Sequence, residues 1–283
     1  MEDLSINDTS QDTSHVTTVF IIDVGTGIII CIGLPLTLMA IYALYSLVGK
    51  DNVAPIYVIN LLISDLIQFC CMIGFLAQPG YQDIYQIGGR IYFSSLVASV
   101  YFMVCIALER YLVIACPLWY RFRRTIKITI VVCVLVWVFP LIFVFSHVFW
   151  PVPASLMPIT LAILFLLPFP LLIFFLVGTL KSLSASISVQ ADEKRRIVAM
   201  LVMVLVIYTL LFLPRIIMFL IQYNTVLNIL SDVFIMTSPL ADLVLYIFMR
   251  KGAIDKLLTS VCCCRMDRND GNISTTITID DEK

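Results

Sequence analysis

The chain has 283 residues, 61% of them hydrophobic and 13% charged, with a mean hydropathy of +1.02 and a formal net charge of −1. Soluble domains carry about 25% charged residues, so this composition excludes an ordinary water-soluble enzyme and is that of an integral membrane protein; no nucleic-acid partner is expected. A crossing takes about 20 apolar residues, so seven crossings and their connections use nearly the whole length and leave no room for a separate enzymatic domain.

Residues 1–17 are polar and acidic and read as an extracellular N-terminal tail; the run that follows is too long for a signal-peptide core, so the start is expected to be mature protein. Charge-free apolar windows place crossings at 18–48, 54–77, 89–115, 126–149, 155–181, 196–223 and 227–249. The expected fold is therefore an all-α membrane protein, a seven-transmembrane helix bundle over 18–249. In 250–264, Ile254, Leu257, Leu258 and Val261 recur at helical spacing among Arg250, Lys251 and Lys256, which predicts a short amphipathic helix on the cytoplasmic membrane face. It ends in Cys262, Cys263 and Cys264, which are palmitoylation candidates or, on the plainer reading, free thiols in a reducing cytosol. Residues 265–283 form an acidic tail whose Ser274, Thr275, Thr276 and Thr278, like Ser182, Ser184, Ser186 and Ser188 between the fifth and sixth crossings, are either phosphosites or plain disordered chain.

Of the 18 Lys and Arg residues, all but Arg90 and Arg215 fall in the turnarounds on one side or in the tail. Positive charge stays inside, so that side is cytoplasmic, the N-terminus is outside, and a multi-pass plasma-membrane protein is expected. Asn7-Asp8-Thr9 then offers an extracellular glycosylation acceptor or a chance sequon, whereas Asn272-Ile273-Ser274 is on the wrong face. The nine cysteines lie in membrane helices (Cys31, Cys70, Cys71, Cys105, Cys116, Cys133) or in the tail triplet, so no extracellular disulfide is expected.

Successive crossings carry a set of short motifs. These are Leu61-Leu62-Ile63-Ser64-Asp65, then Glu109-Arg110-Tyr111 followed by Ile114-Ala115-Cys116-Pro117-Leu118, Trp137, Pro170, Phe212-Leu213-Pro214, and Asp242-Leu243-Val244-Leu245-Tyr246. In this order and topology the chain resembles the rhodopsin-like (class A) G-protein-coupled receptors over residues 18–264. The resemblance implies an extracellular ligand and a heterotrimeric G protein, with arrestin and receptor kinases as further partners and no cofactor other than a bound Na+. It places Glu109, Arg110, Tyr111 and Tyr246 at the coupling end, with Glu109 and Arg110 paired at rest and the arginine freed on activation. The plainer reading is two snorkelling charges at a helix end.

Asp65 in the middle of an apolar helix must have partners, because a bare charge there costs several kcal/mol. The resemblance supplies Ser95, Ser99 and Asp242, a polar pocket like the family's sodium site. Two carboxylates sharing a site need a cation between them or a proton on one; an ion-sensitive switch and a water-filled knot holding helices together both fit.

Arg215 follows Pro214, about 12 Å from the outer end of the sixth helix at 1.5 Å per residue, and Asp232 reaches a similar depth. Either the two form a bridge, or the guanidinium anchors an anionic ligand with Arg90 as a second positive group. Tyr92 stands where the family's amine receptors carry an aspartate, which disfavours an amine ligand; the seventh helix has no lysine, which removes a retinal Schiff base. A small anionic molecule or lipid is the expected ligand class.

Departures from the family pattern include Thr37 for the usual asparagine, Leu243 for proline, Gly178 for tyrosine, Phe212 for tryptophan and Lys194 for an acid. The absent outer cysteine and Pro117-Leu118-Trp119-Tyr120-Arg121 are reminiscent of Mas-related receptors; lipid, purine and proton-sensing receptors are other relatives, though His15 and His147 are too few for a histidine-based proton sensor. Two alternatives remain: a receptor-like scaffold or decoy without coupling, and a seven-helix transporter or channel, which needs a continuous polar path.

Overall fold

Hydrocarbon offers the backbone no water to bond, so apolar spans close their hydrogen bonds internally as helix. The computed structural model describes residues 3–48, 54–77, 82–116, 118, 120, 126–149, 156–185, 191–221 and 225–248, and no strand occurs among them. The helices are α1 (Asp3–Val48), α2 (Ala54–Ala77), α3 (Gln82–Ala115), α4 (Ile126–Phe149), α5 (Leu156–Leu166), α6 (Pro168–Ala185), α7 (Ala191–Ile221), α8 (Thr225–Met236) and α9 (Ser238–Phe248). Five spans are long and apolar enough to cross: α1, α2, α3, α7, and α5 with α6 taken together. The bent pair α8–α9 makes a sixth. The seventh is α4, 24 residues with Lys127 as its one Lys, Arg, Asp or Glu, about 36 Å of helix at 1.5 Å per residue.

Several helices overrun the apolar windows. α1 continues through 3–17, α3 starts at Gln82 rather than 89, and Cys116 lies one residue beyond α3. Hydropathy marks the edge of the hydrocarbon, whereas a helix continues into water as long as its own bonds hold. The chain divides after Tyr246, and the unit Met1–Tyr246 holds everything that follows here. The expected amphipathic helix at 250–264, Cys262, Cys263, Cys264 and the 265–283 tail lie outside the described residues, as do Ser186, Ser188 and the side chains of Asn7, His147 and Lys194.

The third helix is the axis of the bundle. It packs on α2, α4, α5, α6 and α7, while α1 lies on α2 and α8, and α7 packs on α5, α6 and α8. Within its apolar span 72% is buried, against 22% for α1. The outward faces are apolar, as with Ile130, Val131, Val134 and Leu135 on α4, because lipid is as good a solvent for them as the core.

Two crossings are broken, and proline explains both. Pro168 and Pro170 lack the N–H groups that would close on the carbonyls of Leu164 and Leu166, so the fifth crossing breaks at Leu167. Pro239 likewise withdraws the donor for Ile235, and α8 turns into α9 at Thr237 with a 43° bend. Freed carbonyls inside the bilayer must find other donors, and tyrosines supply those of Leu164 and Ile235. Tyr101 Oη–H donates to Leu164 O at 3.4 Å, Tyr92 Oη–H donates to Ile235 O at 3.4 Å, and Tyr208 Oη–H donates to Phe165 O beside the break. At the second break Thr237 Oγ1–H donates to Phe234 O at 2.7 Å.

Candidate functional site

Three polar places are strung along the buried axis. The first is near the α7–α8 connection. Arg215 Nη1 donates to Asp232 Oδ1 at 2.5 Å, to Asn228 Oδ1 at 3.3 Å and to Ser231 Oγ at 3.3 Å. Its guanidinium also lies over the Phe93 ring, 5.6 Å from the centroid, a favourable cation–π distance. The side chain of Arg215 is 13% exposed and that of Asp232 41%, so the pair is open on the carboxylate side. Of the two readings of Arg215, the bridge is the one formed. Tyr92 is buried beside it, edge-on to Phe93 at 5.9 Å and to Phe75 at 6.4 Å. Arg90, two residues earlier, is half-buried on a different face of α3 and is not brought into this group by any described contact. Asn228, four residues before Asp232 and three before Ser231 on α8, was legible only from that helical spacing.

The second place is the bundle centre. Asp65 and Asp242 are both 0% exposed and face each other closely enough for direct electrostatic and side-chain interaction. Ser99 Oγ–H donates to Asp242 Oδ2 at 3.1 Å, and Gln68 Nε2 stands 3.5 Å from Asp65 Oδ1. Ser95 is buried nearby on α3 but turns its hydroxyl to Tyr92 O at 2.8 Å. Asp65 Oδ2, Asp242 Oδ1 and Gln68 Oε1 are buried without a hydrogen-bond partner, as is Ser238 Oγ one turn before Asp242. Orphaned hard oxygen atoms around two carboxylates fit a small cation of low charge. Among the described residues no three His, Cys, Asp or Glu side chains converge to hold a metal, so the donor set suits Na+ better than a transition metal. Gln68, three residues after Asp65, went unrecognised in the sequence because an amide in an apolar helix carries no charge signal.

The third place is the far end of α3. Glu109 is buried, and Tyr120 Oη–H donates to its Oε1 at 2.6 Å. These two residues share a cavity of about 90 Å³ with Tyr57, Cys105 and Thr129, room for a few waters at about 30 Å³ each. Among the described residues no ion pair joins Glu109 to Arg110. Arg110 is half-buried, and its Nε has no hydrogen-bond partner. Tyr111 leans the other way, its ring 5.8 Å from that of Phe175 and seated over Gly178, where a Cβ would come within 2.6 Å of the ring. The glycine that stands in place of a bulky side chain thus makes the notch that Tyr111 fills. Tyr246 is buried at the end of α9.

Between these places the core is aromatic. Phe165, Tyr208 and Phe212 stack in one cluster, with Phe165–Phe212 at 5.3 Å and Tyr208–Phe212 at 5.1 Å. Trp137 Nε1–H donates to Asn60 Oδ1 at 3.0 Å, which ties α4 to α2.

Residues 36–153 match the family model for the 7 transmembrane receptor (rhodopsin family). The chain is 25% identical over 261 residues to G-protein coupled receptor 68 of Mus musculus, covering 78% of this chain and 71% of that protein. It is 27% identical over 117 residues to the Bos taurus protein of the same name, covering 39% of this chain and 32% of that one. Against lysophosphatidic acid receptor 5 of Bos taurus it is 24% identical over 221 residues, 66% of this chain and 60% of that protein. The chain therefore spans less than two thirds of the length of the two Bos taurus relatives.

Proposed function

We propose that this chain is a receptor of the rhodopsin family of seven-transmembrane proteins, a reading supported by the family model and the relatives it resembles, and that it binds an anionic small molecule or lipid beside Arg215 and activates a heterotrimeric G protein. The observation that carries the switching part is the buried carboxylate pair Asp65 and Asp242, with acceptor atoms left unmet. Such a pair costs free energy in the membrane and adds little to a static scaffold. It is useful where a change of helix packing or of bound cation shifts a balance between two states. Na+ at Asp65, Asp242 and Gln68 is the resident ion of this reading; it would offset the two carboxylates in one of those states.

For the ligand, the Arg215–Asp232 pair supplies the chemistry. A phosphate or carboxylate can take the place of the Asp232 carboxylate on the guanidinium fork, releasing α8 from α7. Likeness to a lysophosphatidic acid receptor agrees with a lipid that carries a phosphate. At the other end, Arg110 is the main G-protein contact, with Glu109, Tyr111 and Tyr246 around it, at the plasma membrane with the N-terminus outside. Arrestin and receptor kinases are further partners of this reading, and glycosylation at Asn7 and palmitoylation at Cys262, Cys263 and Cys264 complete it.

The test is nucleotide exchange on purified G proteins by the receptor in nanodiscs, challenged with a panel of lysophospholipids and carboxylates. A response to a phosphate lipid that Arg215→Gln abolishes and Asp232→Asn retains supports the reading. A full response in Arg215→Gln removes the ligand site assigned here.

A further inference from the structure

Between α2 and α3, on the half of the bundle nearest their connection, lies a groove of about 500 Å³ lined by Ile67, Cys70, Gly74, Phe75, Ile87 and Ile91. It is separate from the polar places described above. It opens outward: Cys70 is exposed, and Ile87 and Ile91 are 56% and 37% exposed. Two glycines shape it. A Cβ on Gly74 would meet nothing within 4 Å, so α2 is hollow there, and Gly88 lets the Phe75 ring lie against α3 as the inner wall.

Three features identify the occupant. The residues belong to spans that cross the membrane, so hydrocarbon rather than water or protein reaches the opening. The groove runs from Ile67 toward the end of α2 at Ala77, ten residues or about 15 Å at 1.5 Å per residue, which is half of a hydrocarbon core of about 30 Å and so the depth of one leaflet. Its volume also falls in the range of about 300–1,000 Å³ typical of ligand sites. Burial from lipid into protein brings no hydrophobic gain, so a bare chain would exchange freely; a charge must hold it. Arg90 provides one. It sits on α3 between Ile87 and Ile91, half-buried, with a stem long enough to carry its guanidinium toward the headgroups.

We infer that this groove holds one acyl chain of a bilayer phospholipid whose phosphate is bound by Arg90. The inference rests on the membrane topology and not on which ligand the Arg215 site takes. It also has a consequence for that site. Phe75, the inner wall, stacks on Tyr85 at 5.2 Å and meets Tyr92 edge-on at 6.4 Å, and Tyr92 holds the carbonyl at the bend between α8 and α9. An occupied groove presses Phe75 against Tyr92 and so steadies the Tyr92 hydrogen bond at that bend.

The experiment uses the full chain in nanodiscs containing phosphatidic acid with a mid-chain diazirine. After irradiation, the labelled residues are mapped by peptide mass spectrometry. Labels should be enriched severalfold at residues 67–75 and 87–91 over Ile130 and Val134, lipid-facing residues of α4 that are 52% and 54% exposed. Gly74→Leu fills the hollow and should bring labelling down to the α4 level without lowering the melting temperature; Ile87→Trp blocks the groove from the α3 side if the first variant fails to fold. Arg90→Gln should remove the preference for phosphatidic acid over a diazirine diacylglycerol while leaving the diacylglycerol labels in place. Even labelling of all lipid-facing helices, or enrichment that survives a folded Gly74→Leu, overturns the site. An Arg90→Gln variant that keeps its phosphatidic acid preference overturns the role of the arginine.

Discussion

Tyr208→Phe removes one oxygen atom and tests whether aryl hydroxyls hold the broken fifth crossing together. The Tyr208 side chain is 1% exposed and Phe165 is 0% exposed, so water cannot replace the lost donor at the Phe165 carbonyl. A buried acceptor left unmet costs about 1–3 kcal/mol, whereas interhelical hydrogen bonds measured in membrane proteins average about 0.6 kcal/mol. The carbonyl here lies beside a proline break, and no side chain other than the Tyr208 hydroxyl is seen to serve it, so the expected loss is near the upper membrane value, about 1.5 kcal/mol. In a chain of this size that lowers the melting temperature by about 3–6 °C, read by thermal unfolding in detergent. The ring stays, so the stacking on Phe212 is kept and the loss belongs to the hydroxyl. Tyr101→Phe, whose bond to Leu164 O is longer at 3.4 Å, should cost less, and Tyr42→Phe, 81% exposed, nothing. A Tyr208→Phe variant as stable as the parent refutes the idea that this hydroxyl holds α7 to α5 beside the break. A rise in ligand-free signalling should accompany the loss, since α7 is then freed from α5.

Asp232→Asn leaves the Arg215 guanidinium without its counter-charge; because Asp232 is 41% exposed, the cost should be about 1–2 kcal/mol rather than the 3–5 of a fully buried pair. The double variant Arg215→Gln with Asp232→Asn should be less destabilised than Asp232→Asn alone by thermal unfolding, and equal losses would show that the bridge contributes nothing. Replacing choline chloride with NaCl at constant ionic strength should raise the melting temperature of the parent by mass action and leave Asp242→Asn unmoved, whereas a rise in both would place the ion elsewhere. Gly178→Ala gains about 1 kcal/mol of helix propensity but sets a Cβ 2.6 Å from the Tyr111 ring, so it should destabilise by about 1 kcal/mol net; Tyr111→Leu should rescue it, and failure of the rescue would separate the two residues.

How far the sequence spoke depended on the kind of physics involved. Transfer into hydrocarbon is additive along the chain, so seven apolar windows were legible from composition alone. A lone intramembrane charge must find a partner, so the meeting of Arg215 with Asp232 was among the readings the sequence allowed, whereas Asp242 as the neighbour of Asp65 was implied only by the resemblance. The breaks at Leu167 and Thr237 were not read, although Pro168-Phe169-Pro170 and Pro239 were their signals; apolarity says nothing about which carbonyl loses its donor. The tyrosines that answer those carbonyls lie on other crossings, Tyr92 143 residues from Ile235 and Tyr101 63 from Leu164, and no local pattern joins them. Gly178 stood out as a departure, but only packing reveals that the space it leaves is taken by Tyr111. Tyr120 joined to Glu109 is of the same kind, a contact made by the fold after α3 ends.

The most direct test of the receptor account is ligand-free coupling in cells, comparing the parent with Arg110→Ala at matched surface expression across a panel of G-protein dissociation sensors. The account predicts a signal in one or a few channels that Arg110→Ala abolishes. Silence in every channel, persisting across phosphate-lipid and metabolite libraries, would contradict it and leave a membrane scaffold built on a receptor fold.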